Sequence, residues 1–181
     1  IVWSKVEEEI KELTKTKENK KALPGVKMPS NILFTGNTKK AIEGSDIVVI
    51  AVATKYISSV CDEIKPFVKG KHIVIASKGI ENVSCQFLSD IAYQELKTKN
   101  IAIISGPSFA IDMANENPVG LSIASHSKRA IKEIKKTLVN DTLKLRETND
   151  LIGVQICGSI KNVIALAAGM LSGMNYPEST Q

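Results

Sequence analysis

Apolar positions along this chain fall into two alternating patterns. Residues 47–53 (IVVIAVA), 72–76 and 101–104 are continuous apolar runs, the pattern of strands buried on both faces. Residues 56–65, 84–97 and 128–139 instead space their apolar positions as one-sided helices. In the second of these, Phe87, Leu88, Ile91 and Leu96 form the inward stripe. Ahead of this rhythm, residues 1–3 and 32–35 are strand-like and residues 6–13 and 39–43 helical. Residues 15–21 are a charged segment expected to be mobile. Residues 109–115 predict a short helix, and residues 120–124 and 144–146 two further strands. Strands alternating with helices at this spacing predict an α/β fold, a Rossmann-like doubly wound parallel sheet.

The alternation stops at Asp150, which is placed as the N-cap of a long apolar helix ending near Gly173. We expect residues 1–149 to form the α/β domain and residues 150–181 to open an all-helical one. The run after Leu151 is almost long enough to span a bilayer. Gln155, Lys161, Asn162 and its glycines argue instead for a helix buried in protein and against membrane insertion. Its one charge is Lys161. Read as a helix, Gly158, Lys161, Asn162, Ala165 and Gly169 share one side, so the ammonium sits in a lane of small residues with room beside it. An ammonium among apolar side chains should have a lowered pKa, which suits a lysine that gives or takes a proton. The plain alternative is a lysine that reaches out to water or pairs with an acid elsewhere.

In open α/β sheets, ligands bind beyond the carboxyl ends of the strands. Lys78 follows the strand 72–76, with Gly79 allowing close backbone approach. Ser105-Gly106-Pro107-Ser108 follows the strand 101–104 and leads into a helix, where backbone N–H groups attract anions. Both segments also read as an ordinary surface lysine and an ordinary capped turn. No G-x-G-x-x-G occurs anywhere.

Composition narrows the field. Net charge is +5, with lysines at 11, 15, 17, 20 and 21 and again between 128 and 136; such runs are first of all solvated surface. Aromatics are 4%, too few for nucleic-acid stacking platforms, so a nucleic-acid partner is not expected. A positive balance suits a small anionic substrate. Cys61, Cys85 and Cys157 are far apart with no CxxC, which fits a reducing, cytoplasmic setting and no metal site.

At ASKGIE (residues 76–81), SGPSFA (105–110), GVQICGSIKNVIALAAGM (153–170) and LPGVKMPSNI (23–32), the chain resembles the bacterial-type NAD(P)-dependent glycerol-3-phosphate dehydrogenases, in the family's order. The resemblance implies reversible hydride transfer between a nicotinamide and dihydroxyacetone phosphate, a triose phosphate, supplying glycerol 3-phosphate for phospholipids. It implies Lys161 as the general acid/base. It implies substrate contacts from Lys78, Gly106, Ser108 and Asn162, and cofactor contacts from Lys78 and Ala110.

Three departures stand beside it. The family's glycine-rich loop precedes the strand at which this sequence begins, so a fragment lacking about 30 residues of a βα unit is expected in front. The family's later helices, which hold the substrate phosphate, find no counterpart before Gln181, and the chain by itself is expected to be inactive. Ala22 stands where the family often has an aromatic. Ser4-Lys5 after the first strand leans toward NADP, or use of both NADP and NAD, with Lys5 near the ribose phosphate. A homodimer is expected, to cover the apolar helix. Three readings compete: a β-hydroxyacid dehydrogenase with a similar Lys-Asn pair, a non-catalytic nucleotide-binding domain, and a nucleic-acid binder.

Overall fold

The structure is a computed structural model and describes residues 1–180. The segment after β1 (Val2–Trp3) forms α1 (Glu7–Thr16), with three glutamates in its first turn facing the positive end of the helix dipole. It runs further than the charge pattern suggested, because lysines and threonines on a solvated face do not stop a helix; Lys17, in a left-handed conformation, ends it. Next come β2 (Phe34–Thr35) and α2 (Thr38–Ile42), the latter capped by Asn37. The regular part follows: β3 (Ile47–Ile50), α3 (Ile57–Ile64), β4 (His72–Ile75), α4 (Leu88–Leu96), β5 (Ile101–Ser105), α5 (Ala110–Ala114), β6 (Val119–Ala124), α6 (Lys128–Leu138), β7 (Leu143–Thr148) and α7 (Leu151–Gly173).

The main sheet has the order β3-β4-β5-β6-β7, with helices on both faces, as the doubly wound reading requires. The pleat sorts the core. Ile73 and Ile75 of β4 and Ile101 and Ile103 of β5 pack on one face with Ile57, Cys61 and Ile91 of α3 and α4. Val74, Ala102 and Ile104 point the other way, onto Ala130, Ile131 and Ile134 of α6. Each fully buried isoleucine contributes roughly 1.5–3 kcal/mol, so these strands are the fold's main stabilisers.

Four details correct the expectations. The sheet is mostly parallel rather than wholly so: β6 runs antiparallel to β5, with Ile103 opposite Ala124 and Ser105 opposite Ser122. The short α5 turns the chain back instead of carrying it across the sheet. Second, β1 and β2 form a separate parallel pair, Val2 with Phe34 and Trp3 with Thr35. A groove of about 690 Å³, lined by Val2, Trp3, Ile47, Val49 and Ala51 among others, lies between that pair and β3. Third, β3 is an edge strand of the five-stranded sheet among the described residues, and Val49 on it is 51% exposed. Fourth, residues 81–87 form a loop where a helix from residue 84 was expected. Cys85 sits at φ 55° and Ile80 bridges Phe87, so α4 begins only at Leu88.

Asp150 caps α7 as expected, its carboxylate accepting from Gly153 N–H at 2.7 Å. Burial within this helix is not as expected. Only Leu151 and Gln155 are fully buried, while Val163, Ile164 and Leu166 are exposed. By length and composition alone α7 could cross a membrane.

Candidate active site

The carboxyl ends of β3, β4 and β5 are tied together by short polar contacts. Ser77 donates through its hydroxyl to Val52 O at 2.6 Å, joining the end of β4 to the end of β3. Thr54 donates to Lys78 O at 2.9 Å. Gly79 lies against the same threonine with φ +132°, a conformation open in practice to glycine alone, and a Cβ there would stand 2.6 Å from Thr54 Oγ1. This glycine fixes the turn that aims Lys78.

Lys78 reaches from this turn to the end of β5, where its Nζ donates to Gly106 O at 3.2 Å. Its pKa is lowered, first by burial and second by the positive charge of Lys161. A lysine from a distant part of the chain is therefore near enough for its charge to weigh on Lys78. Lys161 comes from the third turn of α7, and its Nζ lies 5.9 Å from the centre of the Phe109 ring, a cation–π approach. Phe109 itself is 71% exposed, so its ring is open to a ligand. Gly158, one turn before Lys161, is what lets α7 come so close. A Cβ there would meet Ser105 Oγ at 2.6 Å and Lys78 Cγ at 3.7 Å.

Lys161 also lines a cleft of about 560 Å³ with Gly106, Pro107, Ser122, Arg146 and Cys157. The larger groove beside β3 contains neither lysine, so size alone does not find this site. Lys78, Gly106 and Lys161 thus converge. Ser108 and Ala110 lie just beyond Gly106, on the loop and the first residue of α5, and Asn162 is exposed beside Lys161 on α7. Lys5 stands apart, on the segment after β1, where it pairs with Glu63 of α3 at 3.7 Å. Thr38 bonds the same glutamate.

Two residues of this region were given no part in the site from the sequence. Arg146 adds a cation to the cleft, but read locally it is one polar position on the exposed side of β7. Gln155 is buried where α7 meets α4. Its signal was faint: a polar residue one turn after Leu151, on the stripe that a helix packed by its first turns must bury.

A doubly wound α/β sheet with two lysines gathered beyond its strand ends defines a Rossmann-like protein. Comparison with known proteins gives the particular family. Residues 1–131 match the family described as the NAD-dependent glycerol-3-phosphate dehydrogenase N-terminus, and residues 150–181 match that enzyme's C-terminus. The chain belongs to the NAD-dependent glycerol-3-phosphate dehydrogenase family. It is 36% identical over 183 residues to the NAD(P)+ glycerol-3-phosphate dehydrogenase of Fusobacterium nucleatum, a match covering 99% of this chain and 55% of the relative. With the same enzyme of Bacillus subtilis it shares 35% over 184 residues, covering 99% of this chain and 53% of that one. The crystal structure of glycerol-3-phosphate dehydrogenase from Coxiella burnetii superposes with a TM-score of 0.86 at 27% identity, over 98% of this chain and 55% of that one. The chain spans about half the length of the curated relatives it matches.

Proposed function

We propose that this chain contributes the acid/base and much of the substrate- and cofactor-facing surface of an NAD(P)-dependent glycerol-3-phosphate dehydrogenase. One observation carries the reading: Lys78, bonded to Gly106 O, and Lys161 stand close enough for the charge of one to depress the protonation of the other. Two like charges held together are costly unless an anion joins them. A triose phosphate supplies such charge, and its carbonyl oxygen gains more as it is reduced.

The dinucleotide supplies the hydride. The rest falls to the chain. Lys161 gives its proton to the oxygen on C2 as reduction proceeds and takes it back in oxidation. Lys78 polarises the same oxygen and borders the nicotinamide side. Gly106, Ser108 and Asn162 hold the substrate. Ala110 faces the cofactor, and Lys5 lies on the adenosine side, favouring NADP slightly over NAD. The open Phe109 ring and the glycine-only turn at Gly79 fit a flat cofactor at this mouth. Residues 1–149 are the dinucleotide-binding domain and residues 150–181 begin the helical one. A cytoplasmic homodimer supplying glycerol 3-phosphate for phospholipid synthesis completes the reading.

The test follows NADPH and NADH oxidation with dihydroxyacetone phosphate, using the complete gene product and its Lys161→Ala variant. Loss of an acid/base should lower kcat by about 10²–10⁴-fold with the fold retained. Turnover that survives the substitution would remove Lys161 from its role. No wild-type turnover with either cofactor would overturn the assignment of activity.

A further inference from the structure

Gln155 does something that no other residue of α7 does: it completes the hydrogen bonding of a different helix. The residue before α4 is Phe87, whose side chain caps nothing, so the first N–H groups of α4 have no partner inside that helix. The N–H of Ser89 in that first turn is buried, with Ser89 1% exposed. It donates to Gln155 Oε1 at 3.0 Å, across 66 residues of sequence. The other end of the same amide is fixed too. Gln155 Nε2 donates to Ser89 Oγ at 3.0 Å and to Leu151 O at 3.1 Å. An obligatory donor meets the oxygen and an obligatory acceptor meets the nitrogen, so the side chain has one orientation. Gln155 is 6% exposed, and water does not compete for these bonds.

The location gives this clamp its consequence. α4 follows the turn that carries Lys78, and Gln155 lies six residues before Lys161 on α7. A narrow crevice between the two elements is lined by Lys78, Gly79, Ser105, Gln155 and Gly158. We propose that Gln155 is a positioning residue, pinning α7 to the start of α4 so that Lys161 is held at its working distance from Lys78 and Gly106. This rests on the dehydrogenase reading above. α7 also rests on β5 and β6 through Leu151, half-buried Val154 and the close approach of Gly158 to Ser105, and Gln155 adds the buried polar tie to α4. A misplacement of about 1 Å in a reacting group costs roughly 10²-fold in rate, so freeing the helix matters even if it stays folded.

The experiment compares wild type, Gln155→Met and Gln155→Glu in the complete gene product. Methionine keeps the volume and loses every bond. Glutamate keeps an acceptor for the Ser89 N–H, and the Ser89 hydroxyl can turn its proton from Asp90 Oδ1 to the second oxygen, so that among these contacts the bond to Leu151 O is the one lost. Gln155→Met should lower kcat at least ~10-fold with KM for the cofactor within about twofold, and Gln155→Glu should restore kcat to within about threefold of wild type. A second readout needs no turnover: the Lys78 pKa, followed by NMR of ¹³C-dimethylated lysines. It should rise toward the ordinary lysine value in Gln155→Met, because burial and the nearness of Lys161 both weaken.

Wild-type kcat and an unmoved Lys78 pKa in Gln155→Met would overturn the proposal. So would a loss of activity that only follows the loss of folded protein. Should Gln155→Met not fold, Ser89→Ala decides: it removes one of the two acceptors for Nε2, together with the hydroxyl's bond to Asp90 Oδ1, and should lower kcat and raise the Lys78 pKa by less than Gln155→Met would; an unchanged kcat and Lys78 pKa there would equally overturn it. An inactive wild type would defeat the dehydrogenase reading alone, with the lysine titration still deciding the clamp.

Discussion

Gly106, just past the end of β5, lies close to Gly120 of β6, yet alanine should have opposite effects at the two. A Cβ on Gly106 would stand 2.9 Å from Leu121 Cδ2, 3.2 Å from Gly120 O and 3.2 Å from Leu121 Cα. Two of these three are backbone atoms of β6, which is paired along its length with β7 and cannot swing aside as a side chain can. Carbon atoms rest about 3.5–4.0 Å apart, so either β6 or the Gly106 loop must yield by several tenths of an ångström. Overpacking of this kind costs about 1–3 kcal/mol. A Cβ on Gly120, by contrast, meets nothing within 4 Å. Glycine within a strand is less favourable than alanine by roughly 0.5–1 kcal/mol, so Gly120→Ala should stabilise.

For a domain of this size each kcal/mol moves the melting temperature by about 2–4 °C. Gly106→Ala should therefore melt about 2–12 °C below wild type and Gly120→Ala about 1–4 °C above it. Activity should separate the two as well. Gly106 O is the acceptor for Lys78 at 3.2 Å, so displacing it should lower kcat/KM about tenfold, while Gly120→Ala leaves it unchanged. Thermal melts and steady-state turnover on the same preparations test both. If Gly106→Ala melts within about 1 °C of wild type, or if Gly120→Ala falls as far as Gly106→Ala, this packing effect is absent.

Other consequences are briefer. Gly79→Ala forces a side chain into φ +132° and onto Thr54 Oγ1, so it should cost about 1–3 kcal/mol in melting experiments and weaken substrate binding through Lys78; wild-type values for both would refute the role of the turn. Cys61 is buried, and burial first, then Glu95, push its thiol up to about 12. At pH 8 a thiol reagent should label Cys85 and Cys157 in the folded protein and Cys61 only after unfolding. The folded state holds the Cys61 proton more tightly than the unfolded chain, so this contribution to stability is present below pH 9 and is lost as pH rises toward 12. A urea midpoint that stays level across that range would contradict it. Lys5→Asp should shift the ratio of kcat/KM values from NADPH toward NADH, and an unchanged ratio would remove Lys5 from cofactor choice.

What could be read from the sequence was what local chemistry decides. The runs IVVI, HIVI and IAIIS form strands because they are β-branched and apolar, and Asp150 caps α7 because its carboxylate reaches the free N–H of Gly153. Lys161 was legible as a charge out of place in an apolar helix, while Lys78 and Gly106 stood out only by lying beyond strand ends, where an ordinary lysine and an ordinary turn read as well. What could not be read depends on neighbours far along the chain. β3 has the composition of a central strand and lies at the edge of the five-stranded sheet in this chain, which spans about half the length of its curated relatives. The reversal of β6 is hidden in α5, whose five residues look like any short helix. The start of α4 was misplaced because the bridge between Ile80 and Phe87 outweighs the helical spacing of residues 84–87.

The same division explains how the site is built. A lysine in an apolar helix announces itself, since few surroundings tolerate it, but its usefulness depends on where the helix lies. Along α7 that placement is set within its first ten residues. Asp150 caps the start, Leu151 enters the core, Gln155 binds the start of α4, and Gly158 admits the close approach to Ser105. Lys161 follows one turn later, near enough to inherit this rigidity and far enough along to open onto the cleft. Beyond it, Val163, Ile164, Leu166 and Met170 face outward. The anchored half of the helix carries the lysine, and the outer half presents an apolar surface of the kind that further protein covers.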